Sequence, residues 1–194
     1  MTRTAQIQRK TRETTVSVEL ALDGSGQAGI STGVGFFDHL LSSLALHALF
    51  DLDIKTAGDL EVDDHHTVED TALVLGQALA EALGDRERIH RFGDARVPMD
   101  EALAECAVDC GGRPYAVIDL RFRAERIGNL STQNIPHALE AFARMAGLTL
   151  HLTGRGGNDH HLAEAAMKSL ARALRGAVAM DPARTGIPST KATT

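Results

Sequence analysis

Tryptophan is absent from this chain, and one tyrosine and six phenylalanines are all it has of the other large aromatics. So few flat rings leave little on which bases could stack, which excludes a single-stranded nucleic-acid platform. A formal net charge of −6 argues against general binding to a phosphate backbone. Cysteine is almost missing too. Cys106 and Cys110 both fall in ALAECAVDC, a strand-like stretch in which residues four apart share a face. They are expected as buried small hydrophobes rather than a disulfide. No apolar run approaches a membrane span, and MTRTAQIQRKTRETT lacks the apolar stretch of a signal peptide. A cytoplasmic protein with neither membrane nor nucleic-acid partner is expected.

What is present is the balance of a soluble globular protein, 43% hydrophobic and 24% charged over 194 residues. The basic N-terminal dozen, with Arg3, Arg9, Lys10 and Arg12, reads as a solvated arm. TTVSVELAL alternates like a strand, and a DGSGQ turn leads to a second short strand, AGIST. FFDHLLSSLALHALF has helical spacing, DLDIKTAG alternates, and TALVLGQALAEALGD is an apolar-periodic helix closing near Gly84. ARVPMDEALAECAVDCGGRPYAVIDLRF predicts two or three strands. NIPHALEAFARMAG is again helical, LTLHLTGRG again alternates, and LAEAAMKSLARALRGAVAM is a long helix before an irregular Pro- and Thr-rich tail.

The order strands, helix, strand, helix thus occurs twice at an offset of about a hundred residues, with His39 opposite His137. The fold expected is α+β, an internal duplication packed together, with residues 1–92 the first repeat, 93–180 the second and 181–194 a tail. DDHHTVED at 63–70 and NDHHLAEA at 158–165 stand at matching places in the two repeats. Asp64 and Asp159 precede the histidine pairs where a helix N-cap is wanted. His65 and Glu69 are four apart on one helix face, as are His160 and Glu164, so each motif offers an imidazole and a carboxylate side by side. Adjacent helical residues diverge by about 100°, so His66 and His161 each look toward a different ion from their neighbours.

A two-metal scheme follows. One ion takes His65, Glu69 and a histidine of the other motif; a second takes His160, Glu164 and a histidine of the first. His39 and His137 add one donor to each. Three imidazoles and one carboxylate leave open positions in an octahedral ion, as a catalytic centre needs. The donor set suits Mn, Fe or Zn. A lone His-His pair is ordinarily an exposed or capping feature; two pairs with matched glutamates and upstream histidines are not. His47, His90 and His151 do not repeat and are read as structural or surface groups.

DHHTVEDTALVLGQAL, RFGDARVPMDEAL, GGRPY, DHHLAEAAMKSLARAL and IPSTK, in this order, resemble the imidazoleglycerol-phosphate dehydratase family of histidine biosynthesis. The resemblance runs from Arg12 to Lys191. It implies a ribosomal protein S5 domain 2-like duplicated fold, each half a four-stranded sheet backed by two helices. It also implies a monofunctional form, without a fused histidinol-phosphatase domain. The metal implied is Mn²⁺, two per active site, and the particle a large homo-oligomer, a 24-mer in the family, with active sites at subunit interfaces. The implied reaction dehydrates D-erythro-imidazole-glycerol phosphate to imidazole acetol phosphate, with metal on the imidazole nitrogens stabilising the deprotonated ring. By motif match Glu13 is an active-site carboxylate suited to proton transfer, beside Glu69 and Glu164. Arg91, Arg113, Lys168, Ser189 and Lys191 match phosphate-binding positions, where Arg can grip bidentately and Lys supplies a point charge. Met167 replaces a common Phe, and Ala192 replaces the usual Gly after IPSTK. Rival classes are a dinuclear metallohydrolase, which would want bridging carboxylates, and a metal-stabilised cage, which would not want the Arg and Lys set.

Overall fold

Period-two alternation of apolar residues builds two sheets, each with one face against helices and one face polar. The protein, described here by a computed structural model over residues 3–191, has ten strands and four helices among its described residues. The first sheet comprises β1 (Thr4–Lys10), β2 (Thr14–Ala21), β3 (Ala28–Ser31) and β4 (Asp51–Gly58), in the order β1-β2-β4-β3. The second comprises β5 (Phe92–Met99), β6 (Ala102–Asp109), β7 (Tyr115–Leu120) and β10 (Thr149–Arg155), in the order β5-β6-β10-β7. Each order contains two antiparallel pairings and one parallel one at the same places, so the expected duplication is present strand for strand. Ala192, the departure after IPSTK, lies outside the described residues.

The helices are α1 (Gly35–Ala48), α2 (His65–Leu83), α3 (Asn134–Ala146) and α4 (Asp159–Val178). α2 packs on β1 and β2, while α4 packs on β5 and β6. Across the duplication, α2 lies against α3 and α1 against α4. Phe37, Leu40, Leu75, Leu139, Phe142 and Leu170 bring all four helices to one apolar centre. Gly76 permits the α2–α3 crossing, since a Cβ there would fall 2.5 Å from the carbonyl oxygen of Phe142. A short ribbon, β8 (Arg126–Ile127) with β9 (Leu130–Ser131), interrupts the segment between β7 and α3 and was not anticipated.

Two local expectations are corrected. The N-terminal dozen is not a solvated arm. β1 is the edge strand of the first sheet, with Ala5 and Ile7 buried, Arg9 paired with Asp70 and Arg3 with Asp23. Nor do Asp64 and Asp159 cap their helices through their side chains. α4 is capped by Asn158, which accepts the N–H groups of His160 and His161, and Asp159 instead accepts those of Arg123 and Ala124. Asp64 makes no cap bond, and its buried carboxylate reaches across the duplication to Ser131 and Asn134. Both cysteines are buried and unbonded, as expected, and burial pushes each thiol up to about 12.

Candidate metal centres and a basic cavity

The cross-half helix pairs create two matching groups of donors. His65, Glu69 and His137 each present one donor atom within 4.8 Å of the others, and His39, His160 and Glu164 do the same. Each group takes its imidazole–carboxylate pair from one half and its third histidine from the first helix of the other half. His137 on α3 reaches α2, and His39 on α1 reaches α4. The sequence anticipated every member of both groups but assigned His39 and His137 only as added donors.

The two groups differ in how far they have closed on themselves. In the first, Glu69 stands 3.5 Å from Nε2 of both His65 and His137, too far for a hydrogen bond to either. The two rings stack with centroids 4.8 Å apart. The buried Nε2 of His137 has no hydrogen-bond partner among the described residues. Orphaned buried nitrogens are uncommon and costly, and three donors spaced around an open point suit a cation with nitrogen and oxygen ligands. In the second group, Oε1 of Glu164 lies 2.8 Å from His160 and 3.1 Å from His39, while Oε2 takes Lys168 Nζ at 2.6 Å. Burial opposes ionisation of Glu164, but hydrogen bonds from Lys168, His39 and His160, with the lysine's charge, carry its carboxyl down to about 2.

The second histidine of each pair stands outside both groups, as adjacent helix positions require. The rings of His65 and His66 are 5.9 Å apart and edge-on, and those of His160 and His161 are 6.2 Å apart. Nδ1 of His66 meets Asp59 at 3.0 Å, and Nδ1 of His161 meets Glu101 at 2.9 Å. These contacts raise both imidazoles above the ordinary histidine value. Glu101 is lowered to about 2 by His161 and the backbone N–H of Asn158. Glu13, in the turn before β2, is exposed, with one oxygen 3.9 Å from His66 Nε2.

Arg91, Arg113, Ser189 and Lys191 are brought together around a cavity of about 760 Å³, joined by Arg184. Arg91 grips Asp109 with two nitrogens, at 2.7 and 3.0 Å, and donates its third to the carbonyl of Pro188 at 2.7 Å, so it anchors the tail. Arg113 is largely exposed and 3.6 Å from Asp109, its charge open to the cavity. Lys168 does not line this cavity; it stays with Glu164. His47, His90 and His151 belong to neither group.

Sequence reasoning missed Asp59, Glu101, Asn134 and Asp109. Asn134 was the hardest, because it merely opens an apolar-periodic helix yet places its side-chain oxygen 3.2 Å from Nδ1 of His65. Glu101 did leave a signal: it directly precedes β6 as Glu13 directly precedes β2, so the two are duplicates of one position.

The comparisons with known proteins agree with this architecture. Residues 32–174 match the family model described as imidazoleglycerol-phosphate dehydratase. The chain is 53% identical to the imidazoleglycerol-phosphate dehydratase of Methylobacterium radiotolerans over 191 residues, covering 97% of this chain and 98% of that one. It is also 53% identical to that of Methanococcoides burtonii, with the same coverages. The crystal structure of the Staphylococcus aureus enzyme superposes with a TM-score of 0.83 at 35% identity, covering 91% of this chain and 99% of that chain. That of the Pyrococcus furiosus enzyme gives 0.83 at 33% identity, covering 97% and 100%. On a match that spans most of the sequence and the whole duplicated fold, this chain belongs to the imidazoleglycerol-phosphate dehydratase family.

Proposed function

We propose that this protein removes water from D-erythro-imidazole-glycerol phosphate to give imidazole acetol phosphate, in the cytoplasm, at a site holding two Mn²⁺ ions. The observation that carries the proposal is the pair of His-His-Glu groups, each drawn from both halves, with the bare Nε2 of His137 in one of them. His65, Glu69 and His137 would hold one ion, and His39, His160 and Glu164 the other. His66 and His161, outside both groups within a single chain, would complete the sites of neighbouring copies in a large homo-oligomer, a 24-mer by family likeness. Metal held by these residues would supply Lewis acidity, which would make an otherwise inert C–H proton of the substrate removable.

The chain's own residues divide the remaining work. Glu13, exposed near His66 Nε2, is assigned to proton transfer. Arg113, Ser189 and Lys191 hold the phosphate, and Arg91 holds the tail that carries two of them. Lys168 provides positive charge beside Glu164. The functional division is that of residues 1–92, 93–180 and a closing tail, 181–194. A metallohydrolase is disfavoured because Glu69 and Glu164 each serve one group and neither bridges two. A metal-storage cage would have no use for the basic cavity.

The test is turnover by chelator-stripped protein supplied with imidazole glycerol phosphate, with and without Mn²⁺. Product ketone appearing only with metal is the expected result. Absence of product from folded, metal-loaded protein would sink the proposal.

A further inference from the structure

Both histidines left outside the donor groups are held in the same way by residues of different origin. Nδ1 of His66 meets Oδ2 of Asp59 at 3.0 Å, and Nδ1 of His161 meets Oε2 of Glu101 at 2.9 Å. Neither Nε2 has a hydrogen-bond partner among the described residues; the nearest approach recorded, Glu13 to His66, is 3.9 Å. Asp59 lies just after β4, on the way into α2, whereas Glu101 lies in the β5–β6 turn.

The duplication makes this informative. The counterpart of Glu101 is Glu13, which stands on the Nε2 side of His66 and leaves Nδ1 to Asp59. The two halves therefore reach one arrangement, carboxylate on Nδ1 and Nε2 bare, from positions that the duplication does not relate. Shared ancestry does not account for that, and a shared requirement does. Stability is a poor candidate for the requirement, because solvent-screened imidazole–carboxylate contacts contribute little to it. A neutral imidazole carries one N–H. A carboxylate that accepts it at Nδ1 leaves the Nε2 lone pair free, the state a metal ligand needs.

We propose that Asp59 and Glu101 are positioning residues that hold His66 and His161 as Nε2 donors for the metal ions of adjoining copies. The proposal rests on the metal-site reading above and adds the residues that set ring orientation and tautomer. Glu101 permits a sharp test because its other oxygen, Oε1, accepts N–H groups of Gly157 at 3.1 Å and Asn158 at 2.7 Å. In Glu101→Gln those bonds fix the amide oxygen in place and turn the NH₂ toward His161. Nδ1 must then accept, and the ring proton moves to Nε2.

Mn²⁺ binding to metal-stripped, full-length protein would be followed by the electron paramagnetic resonance signal of the free ion, with particle size measured by sedimentation. Glu101→Gln is expected to weaken Mn²⁺ binding by roughly 10- to 100-fold and to leave the metal-free melting temperature unchanged. Asp59→Leu should weaken binding by a similar factor, which guards against a local failure around Gly157. Glu101→Gln added to His161→Ala should cost nothing beyond His161→Ala alone, because the glutamate acts through that ring. Wild-type affinity in both Glu101→Gln and Asp59→Leu would overturn the proposal and leave the two-metal reading standing. Wild-type protein that binds no Mn²⁺ at all would overturn both.

Discussion

Asn134 stands between Asp64 and His65, its amide nitrogen 3.0 Å from the Asp64 carboxylate and its oxygen 3.2 Å from Nδ1 of His65. One side chain from α3 thus joins the buried acid at the start of α2 to the first histidine of the motif. Ser131 completes the junction by donating both its N–H and its hydroxyl to Asp64, each at 2.7 Å. Removing Asn134 as Ala should cost about 1–2 kcal/mol, and Asp64→Ala about 3 kcal/mol, because the second leaves several buried donors unpaired. Urea denaturation of metal-free protein reads both values. The double variant should fall short of the sum, since the two share a bond.

Gly76→Ala should force α3 away from α2. The new methyl would lie 2.5 Å from the Phe142 carbonyl oxygen and 2.8 Å from Met145 Cβ, and backbone cannot yield that far locally. A loss of about 1–3 kcal/mol is expected from overpacking. Because His137 rides on α3 while His65 and Glu69 ride on α2, Mn²⁺ affinity should fall in parallel. A variant that melts lower but binds Mn²⁺ as tightly as wild type would show the helix crossing to be independent of the donor group.

Arg86 is buried, and among the described residues no carboxylate pairs with its guanidinium. It donates instead to the carbonyls of Cys110 at 3.0 Å, Gly147 at 3.1 Å and Ala146 at 2.9 Å. These lie at the ends of β6 and α3, so one side chain pins the second half to the segment leaving α2. Arg86→Met keeps much of the volume and removes every donor. A loss of about 3 kcal/mol is expected, from hydrogen bonds with a charged donor, measured by chemical denaturation.

Acid should weaken the tail's anchorage. Burial opposes ionisation of Asp109, but its hydrogen bonds and charge contact with Arg91, and the nearby Arg113, hold the carboxyl below its usual value. A depressed folded-state pKa stabilises the protein above the unfolded value of about 3.9, and that stability is lost as pH falls through the folded value. Asp109→Asn should be less stable than wild type at neutral pH and show a flatter decline on acidification. Denaturation midpoints across the acid range test this.

Much of this was legible in the sequence. The four helices, most strands and the doubled DHH motif declare themselves through periodicity and repetition, and His39 and His137 align without any structure. β1 stayed hidden because only Ala5 and Ile7 of TAQIQRK turn inward, and an edge strand with basic outward residues looks like an arm. Asp64 and Asp159 misled for a related reason. Capping is a local rule, while the partners of Asp64 lie beyond β7 and those of Asp159 precede α3 by a loop. Asp59 lies among the acids of a polar loop and nothing in the linear order ties it to His66, while Glu101 is marked only by its place before β6, which matches that of Glu13 before β2 and says nothing of His161.

The exchange of helices across the duplication carries an evolutionary consequence. A lone ancestral half would have held an imidazole–carboxylate pair on one helix and an unmatched histidine on another, with no complete group of its own. Two such halves docked about a dyad would have formed two identical groups at once. The open spacing around Glu69 and the lysine-braced Glu164 show that within one chain the two centres, though built alike, are not bound to be the same.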